Sequence, residues 1–171
     1  MKSSRTIALS AVSAAMAVVL LVAGAYIEVL DLSCLFLASL ALMLPLAKGS
    51  RFGSFFAFLA SAILGFILSG MRLQIMLPYV LFFGLHPVVN DFFEKKNVNA
   101  VVAYAIKAVW FIAAIFIAYK FTTFFVVENE TIKKYIVPII IIGGAAFFLL
   151  YDSVMRRMQK YLNALIAKLK I

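Results

Sequence analysis

The sequence predicts an all-α integral membrane protein with six transmembrane helices. Of its 171 residues, 66% are hydrophobic and only 13% are charged, and the mean hydropathy is +1.10. Water-soluble domains are about half apolar and about a quarter charged. The apolar runs are continuous and long enough for bilayer crossings, whereas a membrane β-barrel would alternate apolar and polar residues. The single Cys34 excludes a disulfide scaffold.

Charged residues, Gly and Pro divide the sequence into these six runs. The first run ends at an acidic pair, the second at a basic turn, the third before Gly70, the fourth at a charged segment and the fifth before a polar stretch around 128–134. The predicted spans are 7–27, 32–47, 52–69, 73–89, 100–121 and 135–151. They form a transmembrane domain over residues 1–152. Because the first run is longer than the core of a secretion signal, we interpret it as an uncleaved helix.

The positions of Lys and Arg predict that both termini lie on the cytoplasmic side of the plasma membrane. In this orientation eleven bases fall in cytoplasmic segments and four in outer loops, as expected because cytoplasmic loops hold the excess of bases. The net charge of +9 follows largely from this distribution. The bases are dispersed over loops, so we expect attraction to anionic lipid and no binding of nucleic acid.

Residues 153–171 predict a basic amphipathic helix on the cytoplasmic face. Apolar side chains recur at helical spacing from Val154 onward, while basic and polar side chains from Arg156 onward occupy the other side. We interpret this segment as a helix that lies on the inner membrane surface. Docking of a partner protein is the alternative.

Small residues at intervals of three and four mark two helix-packing surfaces. In the first span, Ala8, Ala11 and Ala15 share one face. Within lipid, close contact between helices relies on small side chains, so this face packs either inside the bundle or against a separate membrane partner. In the third span we expect internal packing along a ladder spaced by four: Gly53, Ala57, Ser61, Gly65 and Ser69.

Polar residues gather near the inner ends of the fourth and fifth spans. His86 and Asn90 are four residues apart and share one side of a helix, Asp91 follows, and Lys107 lies about two turns into the fifth span. An ionisable residue at that depth needs a partner. We expect Lys107 to pair with Asp91 or Glu94 and to clamp adjacent helices. Coupling to a partner or to motion is the alternative.

A second polar group lies at the predicted outer ends of the helices. These side chains are interfacial anchors or line a pocket for a small polar ligand, in which a base meets an anionic group. They are Arg72, Gln74, Tyr79, Tyr119, Lys120 and Tyr135, together with Tyr26, Glu28 and Asp31 at the end of the first span. The sequence has no paired-His zinc motif and no phosphate-binding Gly-rich loop. We therefore expect no catalytic residue, metal or cofactor; an intramembrane enzyme using His86 and Asp91 is the least favoured class.

Several short motifs resemble the substrate-binding S component of energy-coupling factor transporters. The first helix carries Ala8-Leu-Ser-Ala-Val-Ser-Ala-Ala15, and Leu30-Asp-Leu-Ser33 opens the second. A basic turn precedes Gly53, and Gly65-Phe-Ile-Leu-Ser-Gly70 closes the third helix. The size and the six-span topology also agree with that family.

The resemblance implies a protein that captures a vitamin or another micronutrient from outside and associates with a transmembrane coupling subunit and two ATPases. In that family the small-residue face of the first helix contacts the coupling subunit, which maps here onto Ala11 and Ala15, with Ala8 adjoining. The family's ligand pocket opens outward among helices four to six and the early loops, which points to the outer polar residues by location. The alternative function is a non-transporting membrane scaffold that acts through the basic tail and the inner cluster.

Overall fold

The computed structural model describes residues 4–121 and 130–168, without the side chains of 130–134. In these residues the α-helices are α1 (Ser4–Tyr26), α2 (Asp31–Ala41), α3 (Met43–Ala47), α4 (Arg51–Leu68), α5 (Leu73–Pro78), α6 (His86–Lys95), α7 (Ala100–Phe121) and α8 (Glu130–Lys168). The helical segments long and apolar enough to cross a membrane are Ser4–Tyr26, Glu28–Ala47, Arg51–Leu68, Leu73–Lys95, Ala100–Phe121 and Tyr135–Lys168. The predicted all-α fold with six spans is confirmed. Predictions about 128–129 and 169–171 lie outside the described residues.

The second and fourth spans are interrupted helices. The second divides into α2 and α3 two residues before an internal proline, Pro45. In the fourth, α5 ends at Pro78, a π-helical turn covers Tyr79–Phe83, and Pro87 lies in the first turn of α6. Proline lacks a backbone donor and fits the first turn of a helix, so its positions explain where both spans break.

Serine hydroxyls from neighbouring helices bond to carbonyl groups at these interruptions. Ser13 Oγ donates to the carbonyl of Ala41 at 2.6 Å, and Ser54 Oγ donates to that of Leu42 at 2.7 Å. Ser39 Oγ donates to a carbonyl of the π-helical turn at 2.6 Å. A backbone group left unsatisfied inside a bilayer costs several kcal/mol, so these buried serines stabilise the breaks.

The small-residue ladder of α4 packs against α1. All five of its residues are buried: Gly53, Ala57, Ser61, Gly65 and Ser69. A Cβ atom built on Gly53 would lie 2.5 Å from Ser10 Oγ, and one on Gly65 would lie 2.9 Å from Leu21 Cδ1. The two helices therefore approach too closely for larger side chains, and the prediction of internal packing is confirmed.

Aromatic rings fill the space between the fourth, fifth and sixth spans. The ring centroid of Phe82 lies 4.7 Å from that of Phe111 and 4.9 Å from that of Trp110. Tyr151 and Phe148 lie 5.7 Å and 6.1 Å away. Such edge and tilted arrangements add to the energy of burial. These ring contacts join the fourth, fifth and sixth spans.

The sixth span and the tail form one helix, α8, of 39 residues. At about 1.5 Å per residue it is about 58 Å long, well beyond the roughly 30 Å hydrocarbon layer. The predicted boundary at 152/153 is not a break in the helix, because no Gly or Pro interrupts residues 145–168. The position of this tail on the inner membrane surface stays a prediction. Met155 is fully buried and Leu162 packs on the core, whereas Tyr161 is exposed. One part of the apolar face of the tail therefore packs on the bundle, and another part is exposed.

Candidate functional site

Four polar side chains from α6, α7 and α8 form a cluster inside the bundle, which we call the buried ion cluster: His86, Asn90, Lys107 and Asp152. None is more than 3% exposed. Nζ of Lys107 donates to Oδ1 of Asn90 at 2.8 Å and also to Oδ1 of Asp152. His86 Nε2 lies 2.9 Å from the same Oδ1 atom. Because a carboxylate only accepts, Nε2 of His86 donates this hydrogen bond.

The buried ion cluster holds three spans together. His86 and Asn90 lie one turn apart on α6, Lys107 lies about two turns into α7, and Asp152 follows the apolar run of α8. Charges removed from water are retained only where an opposite charge and further hydrogen bonds compensate for the lost hydration. Asp152 supplies the charge for Lys107, and the amide and imidazole supply the hydrogen bonds. The arrangement is an electrostatic clamp between helices.

Arg156 extends the clamp toward the end of the bundle where α6 finishes. It lies one turn after Asp152, with its Nε atom 3.4 Å from Asp152 Oδ2. Its guanidinium carbon sits 4.3 Å from the centroid of the Tyr104 ring, and Nζ of Lys107 lies 5.3 Å from the same centroid. Two cations therefore share one carboxylate and one aromatic ring, which provides cation–π stabilisation to both.

The predicted partners of Lys107 are wrong. Asp91 faces away from the cluster and pairs with Arg51 at 2.5 Å and with Lys95 at 3.1 Å. Glu94 lines a cavity at the surface, beside bases of α8. Both acids lie near the end of α6, where charges can reach the headgroups and water. The acid that pairs with Lys107 inside the bundle is Asp152, which lies on α8, 45 residues further along the chain.

Sequence reasoning did not identify Asp152 as a site residue. The available signal was an acid directly after an apolar run, with a base four residues later, which is the spacing of a helical ion pair. Among the described residues, no three His, Cys, Asp or Glu side chains gather where they could hold a metal ion.

A polar cavity of about 430 Å³ lies at the opposite end of the bundle. Its lining residues come from the end of α1, the connection to α2, and the starts of α2 and α5: Gly24, Ala25, Glu28, Asp31, Arg72, Gln74 and Ile75. The Arg72 guanidinium donates to the carbonyl of Ala25 and lies 4.8 Å from the centroid of the Tyr26 ring. Asp31 Oδ1 accepts from the backbone N–H of Leu32. Two carboxylates and one guanidinium thus face this space.

The structure brings together only part of the predicted ligand set. Arg72 and Gln74 line the polar cavity. Tyr79 is fully buried, and its hydroxyl lies 2.6 Å from Ser61 Oγ. Lys120 lies near the end of α7, 5.7 Å from the centroid of Phe116. Tyr119 on α7 and Tyr135 on α8 are not among the residues that line the polar cavity.

An apolar cleft of about 260 Å³ lies between α7 and α8. Its lining includes Phe111 and Ile115 from α7, and Ile140, Gly144 and Phe147 from α8. It lies within the region that the resemblance implies for a ligand, but its walls carry almost no polar group. Of these two spaces, the polar cavity is the one lined by side chains that can form hydrogen bonds with a polar ligand.

The alanine face of α1 is open. Ala8, Ala11 and Ala15 are all exposed, whereas Ala17 and Leu21 on the other side of the helix are fully buried. Within the described part of the chain, these three alanines are therefore not buried against another helix. The structure therefore does not support the interpretation that this face packs inside the bundle, and its contact with a separate membrane partner stays a prediction.

Comparisons with protein families, with curated proteins and with solved structures find no significant match to this chain.

Proposed function

We propose that this protein is a substrate-capture subunit of a membrane uptake system, of the kind formed by S components of energy-coupling factor transporters. The observation that carries the proposal is the polar cavity lined by Glu28, Asp31, Arg72 and Gln74. Its volume of about 430 Å³ falls within the 300–1,000 Å³ typical of small-molecule sites. It opens at the end of the bundle that the distribution of bases predicts to face outside.

The charges of the cavity favour a small polar ligand that carries a cationic nitrogen. Two carboxylates, Glu28 and Asp31, face the space with one guanidinium. That guanidinium is already held by the carbonyl of Ala25 and the ring of Tyr26. The cavity therefore has an excess of negative charge, and Gln74 adds an amide that both donates and accepts hydrogen bonds.

The exposed alanine face of α1 supports the second part of the proposal, association with a transmembrane coupling subunit. Ala8, Ala11 and Ala15 form a smooth strip along which another helix can approach closely. The capture subunit would bind its ligand from outside, and ATPases attached to the coupling subunit would supply the energy for uptake.

Ligand capture is tested with the purified full-length protein. Small molecules released by denaturing it are identified by mass spectrometry, and their retention is compared between wild type, Glu28→Gln and Asp91→Asn. Both changes remove one carboxylate charge, but only Glu28 lines the polar cavity. A hydrogen bond to a charged group is worth about 1.5–3 kcal/mol, so we expect E28Q to lose roughly 10- to 100-fold in retention and D91N to match wild type. Equal retention in all three proteins, or no retained molecule, contradicts the proposal.

Partner association is tested separately with two variants of α1. Ala11→Phe places a bulky ring on the alanine face, and Met16→Phe places the same ring elsewhere on the exposed surface of the helix. We expect A11F to lose co-purification of the coupling subunit while it keeps its small molecule, and M16F to keep both. Co-purification that survives in A11F would show that the partner docks elsewhere.

A further inference from the structure

We propose that a second cavity, at the end of the bundle where α6 finishes, binds the phosphate group of an anionic ligand. This cavity has a volume of about 310 Å³. Its lining residues are Glu94 from α6 and Ser153, Arg156, Arg157 and Lys160 from α8. Three bases face it against one acid, and the serine hydroxyl offers a further donor. The proposal is independent of the function assigned to the polar cavity.

Arg156 is pre-positioned for this role. Its guanidinium lies over the ring of Tyr104 at 4.3 Å, and its Nε atom is 3.4 Å from Asp152 Oδ2. The side chain is 32% exposed, so it is anchored on its inner side and reaches the cavity on its outer side. A guanidinium has five N–H donors in a rigid fork, and its Nε side lies at ion-pair distance from Asp152. The remaining donors suit the paired oxygens of a phosphate.

The charge balance of the buried ion cluster explains why the ligand is an anion. The carboxylate of Asp152 serves both Lys107 and Arg156, so two cations share one negative charge. A phosphate beside the exposed part of Arg156 would supply the second negative charge. Arg157 and Lys160 on the same cavity wall increase the positive potential. Binding there therefore stabilises the interior cluster as well as the surface pocket.

The phosphate can belong to an anionic lipid or to a soluble molecule, because this end of the bundle is predicted to face the cytoplasm. Bases that follow a transmembrane segment attract anionic headgroups by about 1 kcal/mol each. Soluble phosphate compounds offer the same oxygens without an acyl chain. Both sources are recognised through the phosphate oxygens. They differ in whether an acyl chain also contributes to binding.

The test measures the thermal unfolding of the purified full-length protein in a neutral detergent. Dioctanoyl phosphatidylglycerol, dioctanoyl phosphatidylcholine and inorganic phosphate are titrated separately at constant ionic strength. Lys160→Gln removes a base from the cavity wall, and Lys168→Gln removes an exposed base further along the same helix. The loss of about 1 kcal/mol per base corresponds to roughly fivefold weaker binding. We expect this loss in K160Q and less than a twofold change in K168Q.

Each outcome of this titration either supports or contradicts the phosphate site. Stabilisation by phosphatidylglycerol alone, weakened in K160Q, supports an anionic lipid as the source of the phosphate. Equal stabilisation by inorganic phosphate, with the same dependence on Lys160, supports a soluble phosphate compound. If K160Q and K168Q bind equally, the attraction is a general effect of the basic helix and the site does not exist. The same conclusion follows if no anion stabilises the wild type, or if phosphatidylcholine is as effective as phosphatidylglycerol.

Discussion

Asp152→Asn is expected to be among the most destabilising conservative substitutions in this protein. The change keeps the size of the side chain but removes the carboxylate that contacts both Lys107 and Arg156. Lys107 is only 2% exposed, so its ammonium would keep Asn90 as a hydrogen-bond acceptor while losing its counter-charge. Breaking one side of a buried ion pair costs about 3–5 kcal/mol, and we expect D152N to fall in this range.

The matched control is Asp91→Asn, which is chemically the same substitution. Asp91 also contacts two bases, Arg51 at 2.5 Å and Lys95 at 3.1 Å. Those side chains are 33% and 48% exposed, so solvent can replace the lost charge. Exposed ion pairs contribute about 0–1 kcal/mol, and we expect D91N to cost less than about 1 kcal/mol.

The measurement is the free energy of unfolding, followed by the fluorescence of Trp110 as sodium dodecyl sulfate is added to protein in a mild detergent. Trp110 is the sole tryptophan of the chain, and its ring lies 4.9 Å from that of Phe82, which in turn lies 5.1 Å from that of His86. The double variant K107M/D152N removes both charges. We expect its destabilisation to be smaller than the sum of the single changes by about 1–3 kcal/mol. Additive effects, or equal costs for D152N and D91N, would refute the buried clamp.

Three further substitutions test the packing. Gly65→Ala brings a Cβ to 2.9 Å from Leu21 Cδ1, so we expect a loss of about 1–3 kcal/mol in the same unfolding assay. Gly143→Ala meets nothing within 4 Å, and we expect unchanged stability or a gain of up to about 1 kcal/mol; a loss there would contradict the open environment of that glycine. Tyr79→Phe removes the hydrogen bond with Ser61 and should cost about 1 kcal/mol without changing retention of the co-purified molecule. Altered retention would instead place Tyr79 at the ligand.

The number of spans follows from hydropathy, because continuous apolar runs depend on local sequence alone. The ends of the fourth and sixth spans do not, since their helices continue to Lys95 and Lys168. The small-residue ladder of α4 was predictable from local sequence, since its spacing of four places Gly53 to Ser69 on one helix face. The sequence does not determine which helices are neighbours. Lys107 was therefore recognised as a residue in need of a partner, but Asp152 lies 45 residues away on a helix whose position is a tertiary property.

The fourth span contains a local irregularity that changes which residues before and after it share a face. Arg72 and Gln74 precede the interruption of the fourth span and line the polar cavity. Tyr79 begins the π-helical turn, where Gly84 N–H donates to the carbonyl of Tyr79 instead of to that of Val80. A π-helical turn adds a residue to the helical repeat and so rotates the next turns of the span relative to a regular helix. Periodicity counted along the sequence misses this rotation.

The proposed transport function requires that ligand binding and partner binding influence each other, and α1 is the element that carries both surfaces. Its C-terminal turn supplies Gly24 and Ala25 to the polar cavity, while Ala15 lies nine residues earlier on the open face. At about 1.5 Å per residue these points are about 14 Å apart along one continuous helix. A side chain at Gly24 would collide with Cys34 and Ile75, so α1 is held closely at the cavity. A ligand that displaces these contacts would move α1 as a unit and so change the affinity for the partner. Thermodynamic linkage then requires the partner to change the affinity for the ligand by the same factor.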